Sequence, residues 1–466
     1  MYELMLIAAA VVALGGAFIA YDGSRDVFHP LIFIGPMLAF LYGWMPWKLL
    51  KSGGLFKFFD GEQLMFVQTL YLLGVLAFVV MCLSVGVRLK EQKAEVARLS
   101  KRVCQKLLIC AVVVGGLGLT CWGITIHNVG GFVNAFSTSY AGGYDASGYV
   151  RDGSLLLLVG VLFALTSFSA GGPKLTSVVI GLMFGLPWAS SALLMGRRGP
   201  TFALVVVVAM GWFVNRKKRP PLLAVAIGGL CLGWLVLFLV TNRSSIYIGS
   251  SFDMKTNVDN VVDTADNSNE YIYGSGSVLS AKARNHYYWM RRYLAQVTVR
   301  PIPSAIWPTK YEDFGVPELL VNAGTGEGFG STLGWVGAPG SAPGIIADLW
   351  VEVWWFAVPI MGLLGWAYGK VWKNAVLRGG PWASEYVMIS ALSIYLVMQT
   401  GEAVIFRTIM LSVPCWLSWR WALGEKRATS RRPWIFPRRE AASAAPRRST
   451  LRQEPLTEAW KGTPHV

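Results

Sequence analysis

Long apolar runs containing neither Lys nor Arg recur along this chain and constrain its fold more than any other feature. Leu64 to Val87, Leu155 to Ala170 and Leu222 to Thr241 each continue for roughly 16 to 24 residues, enough for a helix to cross hydrocarbon. A buried helix of a soluble protein seldom needs that length, and it would not recur down the chain. Composition agrees: 54% of residues are hydrophobic and 15% charged, where soluble domains carry about a quarter charged residues. The fold class expected is all-α, a polytopic transmembrane bundle of about eleven spans. They are placed near 2–20, 31–50, 63–87, 107–126, 152–170, 175–195, 200–214, 221–241, 344–369, 385–401 and 403–422.

The net charge of +16 invites a nucleic-acid reading, but its distribution argues against one. Basic residues gather in short connections between apolar runs and in the last forty or so residues, a topology signal and a contact with anionic headgroups. No DNA- or RNA-binding motif accompanies them. The connections at 88–106, 215–220 and 370–378 and the tail are all basic. With eleven spans they share one side, the cytoplasm, so the N-terminus lies outside and the C-terminus inside. Lys48, Lys51 and Lys57 fall on the opposite side and are the exception.

This divides the chain into eight spans over 1–241, a large extracytoplasmic loop at 242–343, three spans over 344–424 and a basic tail at 425–466. The loop is long enough to imply a function of its own. Within it, Ala281 to Val299 mixes Tyr287, Tyr288, Trp289 and Tyr293 with Arg284, Arg291 and Arg292, the composition of a helix lying along the interface. The tail lacks apolar periodicity and reads as disordered. Glu3 replaces a basic leader, so the first span is expected to be retained. The cysteines lie in or beside apolar runs with no zinc spacing.

Candidate chemistry concentrates on the outer side. Met195-Gly196-Arg197-Arg198-Gly199-Pro200 sets two arginines between apolar spans, against the topological trend. Guanidinium groups bind phosphate bidentately, and flanking glycines let backbone approach a ligand; the alternative is two arginines snorkelling to headgroups. Arg300-Pro301-Ile302-Pro303, continuing to Trp307-Pro308-Thr309-Lys310, is a proline-stiffened segment whose Arg300 and Lys310 either supply cations or remain solvated. Arg243 is a further phosphate contact or an anchor. The glycine-rich run Gly324 to Gly330 lacks the strand and helix that a nucleotide loop needs, so no cofactor is expected. Asp348 and Glu352 share one face at the start of the ninth span, where Asp348 is either a general base or an ordinary helix-start acid. His286 is a second candidate base. Glu402 and Arg407 pair with each other or line the same cavity.

These segments resemble the bacterial oligosaccharide repeat-unit polymerases, the Wzy-type O-antigen and exopolysaccharide polymerases. Gly196-Arg197-Arg198-Gly199 is similar to their G-x-R-G turn, with Arg198 at its arginine. Arg300 to Lys310 resembles their iPR-x-lWP-x-KP segment, and Ala347-Asp348-Leu349-Trp350 their A-E-L-Y helix start. Ser304, Tyr311 and Asp348 depart from those patterns. The resemblance implies a C-type glycosyltransferase of the bacterial inner membrane, joining undecaprenyl-diphosphate-linked oligosaccharides at the periplasmic face. Arg197, Arg198, Arg300 and Arg243 would hold the diphosphate, Asp348 or His286 would take the acceptor proton, and Lys310, Glu402 and Arg407 would line the cavity. No metal is expected: no ligand set is visible, and arginines can stabilise the leaving charge. A chain-length regulator and a flippase are the implied protein partners. An O-antigen ligase and a non-enzymatic flippase or transporter are the alternatives.

Overall fold

A computed structural model describes residues 1–86, 99–137, 148–194, 197–214, 216, 219–242, 245–249, 269–303, 306–315, 328–338 and 341–424. Among them every regular element is helical. In chain order the main helices are α1 (Tyr2–Ser24), α2 (Pro30–Lys51), α3 (Gly61–Gly86), α4 (Lys101–Asn128), α5 (Val150–Ser169), α6 (Lys174–Leu194) and α7 (Arg198–Val214). They continue with α8 (Leu222–Asn242), α9 (Glu270–Arg284), α10 (Ile345–Arg378), α11 (Pro381–Ala391), α12 (Ser393–Met398) and α13 (Gly401–Leu423). Eight of these, α1 to α6, α8 and α10, are long and apolar enough to cross a membrane. The protein is a multi-pass helical membrane bundle. Helices also occupy the three other expected spans: the shorter α7, the α11–α12 pair divided at Leu392, and α13.

The bundle is apolar outside as well as inside. On α1, Leu4, Ile7, Val11, Leu14 and Phe18 form one exposed stripe, while Leu6, Ala9, Ala13 and Ala20 are buried. In water such a stripe would be a large exposed patch; in lipid it is the solvated face. Helix α8 is the extreme case, with 6% of its most apolar stretch buried.

Where apolar burial drives little association, small residues let helices pack closely. Gly362, Gly365 and Gly369 of α10 lie along α3, and a Cβ at Gly365 would overlap the Phe78 carbonyl. Gly16 of α1 meets Val79 of α3 in the same way.

The alternating helices define two ends. At one, Arg219 pairs with Asp26 at 3.6 Å, Tyr386 donates to the Phe28 carbonyl, Trp419 donates to Ser384, and Lys106 donates to the Trp421 carbonyl. This basic end carries the described members of the positively charged connections. The other end gathers the described parts of 269–338. There Tyr2 and Tyr271 share a hydrogen bond of 2.7 Å, and Tyr271 donates to Gln68 at 3.0 Å.

One local expectation needs correction. Ala281 to Val299 is not a continuous interfacial helix. Helix α9 begins earlier, where Asn269 accepts from the Tyr271 and Ile272 N–H groups, and it stops at Asn285, whose φ of 49° is left-handed. Most of its length is buried in the bundle. After a bend at Trp289 and Met290, both with positive φ, a short turn at Arg291–Leu294 runs into a π-helical turn at Ala295–Val299.

Candidate functional site

Three arginines from separate chain segments come together at the loop end. Arg300 follows the π-helical turn, a geometry often found where a side chain is re-aimed at a functional site. Its guanidinium donates to Asp152 of α5 and, at 2.8 Å, to Gln296, and lies 4.7 Å from the Phe406 ring of α13. Arg407, next along α13, lies 4.6 Å from the ring of Tyr395 in α12. Arg407 Nη1 is buried and has no hydrogen-bond partner among the described residues.

Tyr395 links the rest of the group: Arg407, Arg197 and Asp152, the partner of Arg300, lie within its electrostatic reach. The turn that brings Arg197 here is held tightly. Trp188 donates to the Pro200 carbonyl at 3.0 Å, and the Thr201 hydroxyl donates to the Arg197 carbonyl at 2.9 Å. Gly199 explains the approach, because a Cβ there would overlap the Tyr395 ring and hydroxyl. Cations gathered beside two aromatic rings, Phe406 and Tyr395, and one buried carboxylate make an anion-binding arrangement, with guanidinium forks suited to phosphate oxygens.

Asp348 lies in a second cluster nearby. It is fully buried, and both carboxylate oxygens are engaged. Arg292 donates to Oδ1 at 2.8 Å; Tyr293 and the Gly401 N–H donate to Oδ2 at 2.6 and 2.9 Å. Arg292 also pairs with the buried Glu352. Burial, reinforced by the Asp348 carboxylate, holds the Tyr293 phenol well above the usual tyrosine range and keeps it a donor. This cluster ties the outer segment to α10 and to the first residue of α13, six residues before Arg407.

The remaining candidates scatter. Arg198 pairs with Glu270 at the start of α9. Lys310 is fully buried and donates to the carbonyls of Arg300 and Ile302, closing its own proline-rich segment into a turn. Trp307 and Thr309 donate to Asp313 across that turn at 2.6 and 2.8 Å, and hold its carboxyl below the usual range. His286 is exposed just beyond α9, with its ring edge-on to Tyr288. Arg243, the Glu402 side chain, and Gly324 to Glu327 of the glycine-rich run lie outside the described residues. No group of three or more His, Cys, Asp or Glu able to hold a metal occurs among the described residues.

Sequence reading alone passed over Asp152, Tyr395 and Glu270. Asp152 and Glu270 are isolated acids in polar stretches, and Tyr395 looks like any tyrosine in an apolar run. Compared with protein-family models, curated proteins and solved structures, the chain matches none of them.

Proposed function

We propose that this protein transfers glycans between undecaprenyl-diphosphate carriers, as a repeat-unit polymerase at the outer face of the bacterial inner membrane. The observation that carries the reading is the gathering of Arg197 and Arg407 around Tyr395, with Arg300 beside Asp152 and the neighbouring Phe406 ring, at the loop end of a membrane bundle. A membrane-embedded cluster of arginines is costly unless it meets an anion, and a lipid diphosphate presents one at that depth. The orientation adopted is that of eleven spans, with the basic end in the cytoplasm, the N-terminus outside and the 242–343 loop outside.

In the reaction, the anomeric carbon of the growing glycan loses its bond to the carrier oxygen, and the diphosphate leaves with the bonding electrons. A hydroxyl of the incoming lipid-linked repeat forms the new bond and gives up its proton. The arginines offset charge developing on the departing diphosphate. Removing one donor of this kind typically slows turnover by about 100- to 1,000-fold.

A deletion strain tests this directly. Loss of long surface glycan with lipid-linked single repeats retained is the expected outcome. Full-length polymer stranded on the carrier would instead indicate a ligase, and unchanged surface glycan would overturn both readings. Complementation with Arg407→Ala or Arg300→Ala should fail to restore polymer, and Arg407→Lys should do little better because the fork is lost. Purified protein is expected to keep its turnover in chelator. Abolition by chelator with recovery in magnesium would show that arginines do not suffice.

A further inference from the structure

Resting on that reading, we propose that Asp152 is the group that accepts the acceptor's proton, and that its ion pair with Arg300 couples this step to donor binding. Asp348 and Asp152 are both buried carboxylates beside the arginine cluster, but they are held differently. Asp348 accepts from three donors supplied by Arg292, Tyr293 and the Gly401 backbone, and is fully enclosed. An acceptor hydroxyl would have to displace that whole set. Among the described residues, Asp152 has one hydrogen-bonding side-chain partner, Arg300, which it meets through Oδ2.

That partner is itself the cation a diphosphate would engage. Two oxyanions then compete for one guanidinium, and the doubly charged ligand has the stronger claim. Arg300 does not depend on Asp152 for its position, because Gln296 holds its Nη1 at 2.8 Å and the Phe406 ring lies 4.7 Å away. It can therefore turn to a diphosphate while remaining beside the site. Asp152 is left uncovered within reach of Tyr395, the residue whose surroundings also hold Arg197 and Arg407 and where the leaving group would lie.

The step balances. The acceptor oxygen bonds to the anomeric carbon, its proton passes to a carboxylate oxygen of Asp152, and the carrier diphosphate departs with the electron pair. The proton is released to water before the next cycle. Donor binding thus prepares the base, so the carboxylate is uncovered when a glycan is in place to react.

The experiment uses full-length protein in lipid nanodiscs, with undecaprenyl diphosphate as the binding probe. Lipid-linked single repeats extracted from the deletion strain serve as substrate. Asp152→Asn removes the competing charge, so undecaprenyl diphosphate should bind at least as tightly as to wild type. Turnover should fall about 100-fold or more, in kcat rather than KM, and Asp152→Glu should recover part of it. Asp348→Asn should retain more turnover per folded molecule than Asp152→Asn. Normal turnover in Asp152→Asn would overturn the proposal. So would loss of binding in step with loss of thermal stability, which would make Asp152 only a structural partner of Arg300. An Asp348→Asn protein that folds and binds the probe but does not turn over would move the role to Asp348. Failure of wild-type protein to bind undecaprenyl diphosphate would overturn the polymerase reading itself, a result distinct from any of these.

Discussion

At the scale of single residues, the energetics around Arg292 are asymmetric. One buried guanidinium faces two buried carboxylates, Asp348 and Glu352. Removing one partner of a buried pair costs about 3–5 kcal/mol, because the other charge is left uncompensated. Arg292→Ala strands two carboxylates and should be the most damaging change in the cluster. Asp348→Asn leaves the Arg292–Glu352 pair in place and should cost less. Thermal unfolding in detergent gives the order, and an Asp348→Asn protein less stable than Arg292→Ala would contradict it. Gly199 offers a second test at this scale. Alanine there overlaps Tyr395, and overpacking of this kind costs about 1–3 kcal/mol. Adding Tyr395→Leu should recover stability without recovering activity, since the ring that Arg407 packs on is gone.

At the scale of elements, α9 shows how packing overrides propensity. Gly274 and Gly276 weaken it as an isolated helix, yet a Cβ at Gly274 would overlap the Pro343 carbonyl, and one at Gly276 would press on Phe329 and Trp335. Its ends are defined by side chains instead. Asn269→Ala removes the N-cap acceptor and should cost about 1 kcal/mol. Asn285→Gly should be nearly neutral, whereas Asn285→Val, strained at a φ of 49°, should destabilise. Hydrogen exchange over 270–284 reads all three, and equal protection in Asn285→Gly and Asn285→Val would show that the cap does not set the helix end. The α3–α10 contact is the membrane counterpart. Gly365 and Gly369 form a small-xxx-small pair that sets backbone against backbone at Phe78 and Cys82.

At the scale of the whole molecule, the two ends carry different chemistry. Among the described residues, Lys106 and Arg219 of the basic connections lie at one end, while the arginine cluster and the buried Asp348 network lie at the other. Reporter fusions at 95 and 430 should be active on the cytoplasmic side, and one within 255–265 on the periplasmic side. Periplasmic activity at 430 would invert the bundle and place the arginine cluster on the wrong face. Truncation after Gly424 should leave turnover intact, because every residue assigned to the cluster precedes it. A well-inserted but inactive truncation would bring the tail into the mechanism.

What the amino-acid sequence determined by itself was the medium and the class of structure. Apolar runs of membrane length specify helices, and eight of them are present with helices at the other expected spans. It also marked Arg197 and Arg407 individually, because charge beside apolar runs is costly and therefore conspicuous, and Arg300 through its proline-stiffened segment. It did not reveal that Arg197 and Arg407 would share Tyr395 while Arg300 met Asp152, or that Arg198 would pair with Glu270 and Lys310 with the carbonyls of its own segment. Nor did it separate Asp348, enclosed by three donors, from Asp152, held by one cation. The reason is physical. Hydropathy and helix periodicity act over a single segment and can be read along the chain. A guanidinium's partner is decided by which distant helices pack together, and here that rests on glycines whose role is visible only once the neighbouring backbone is in place.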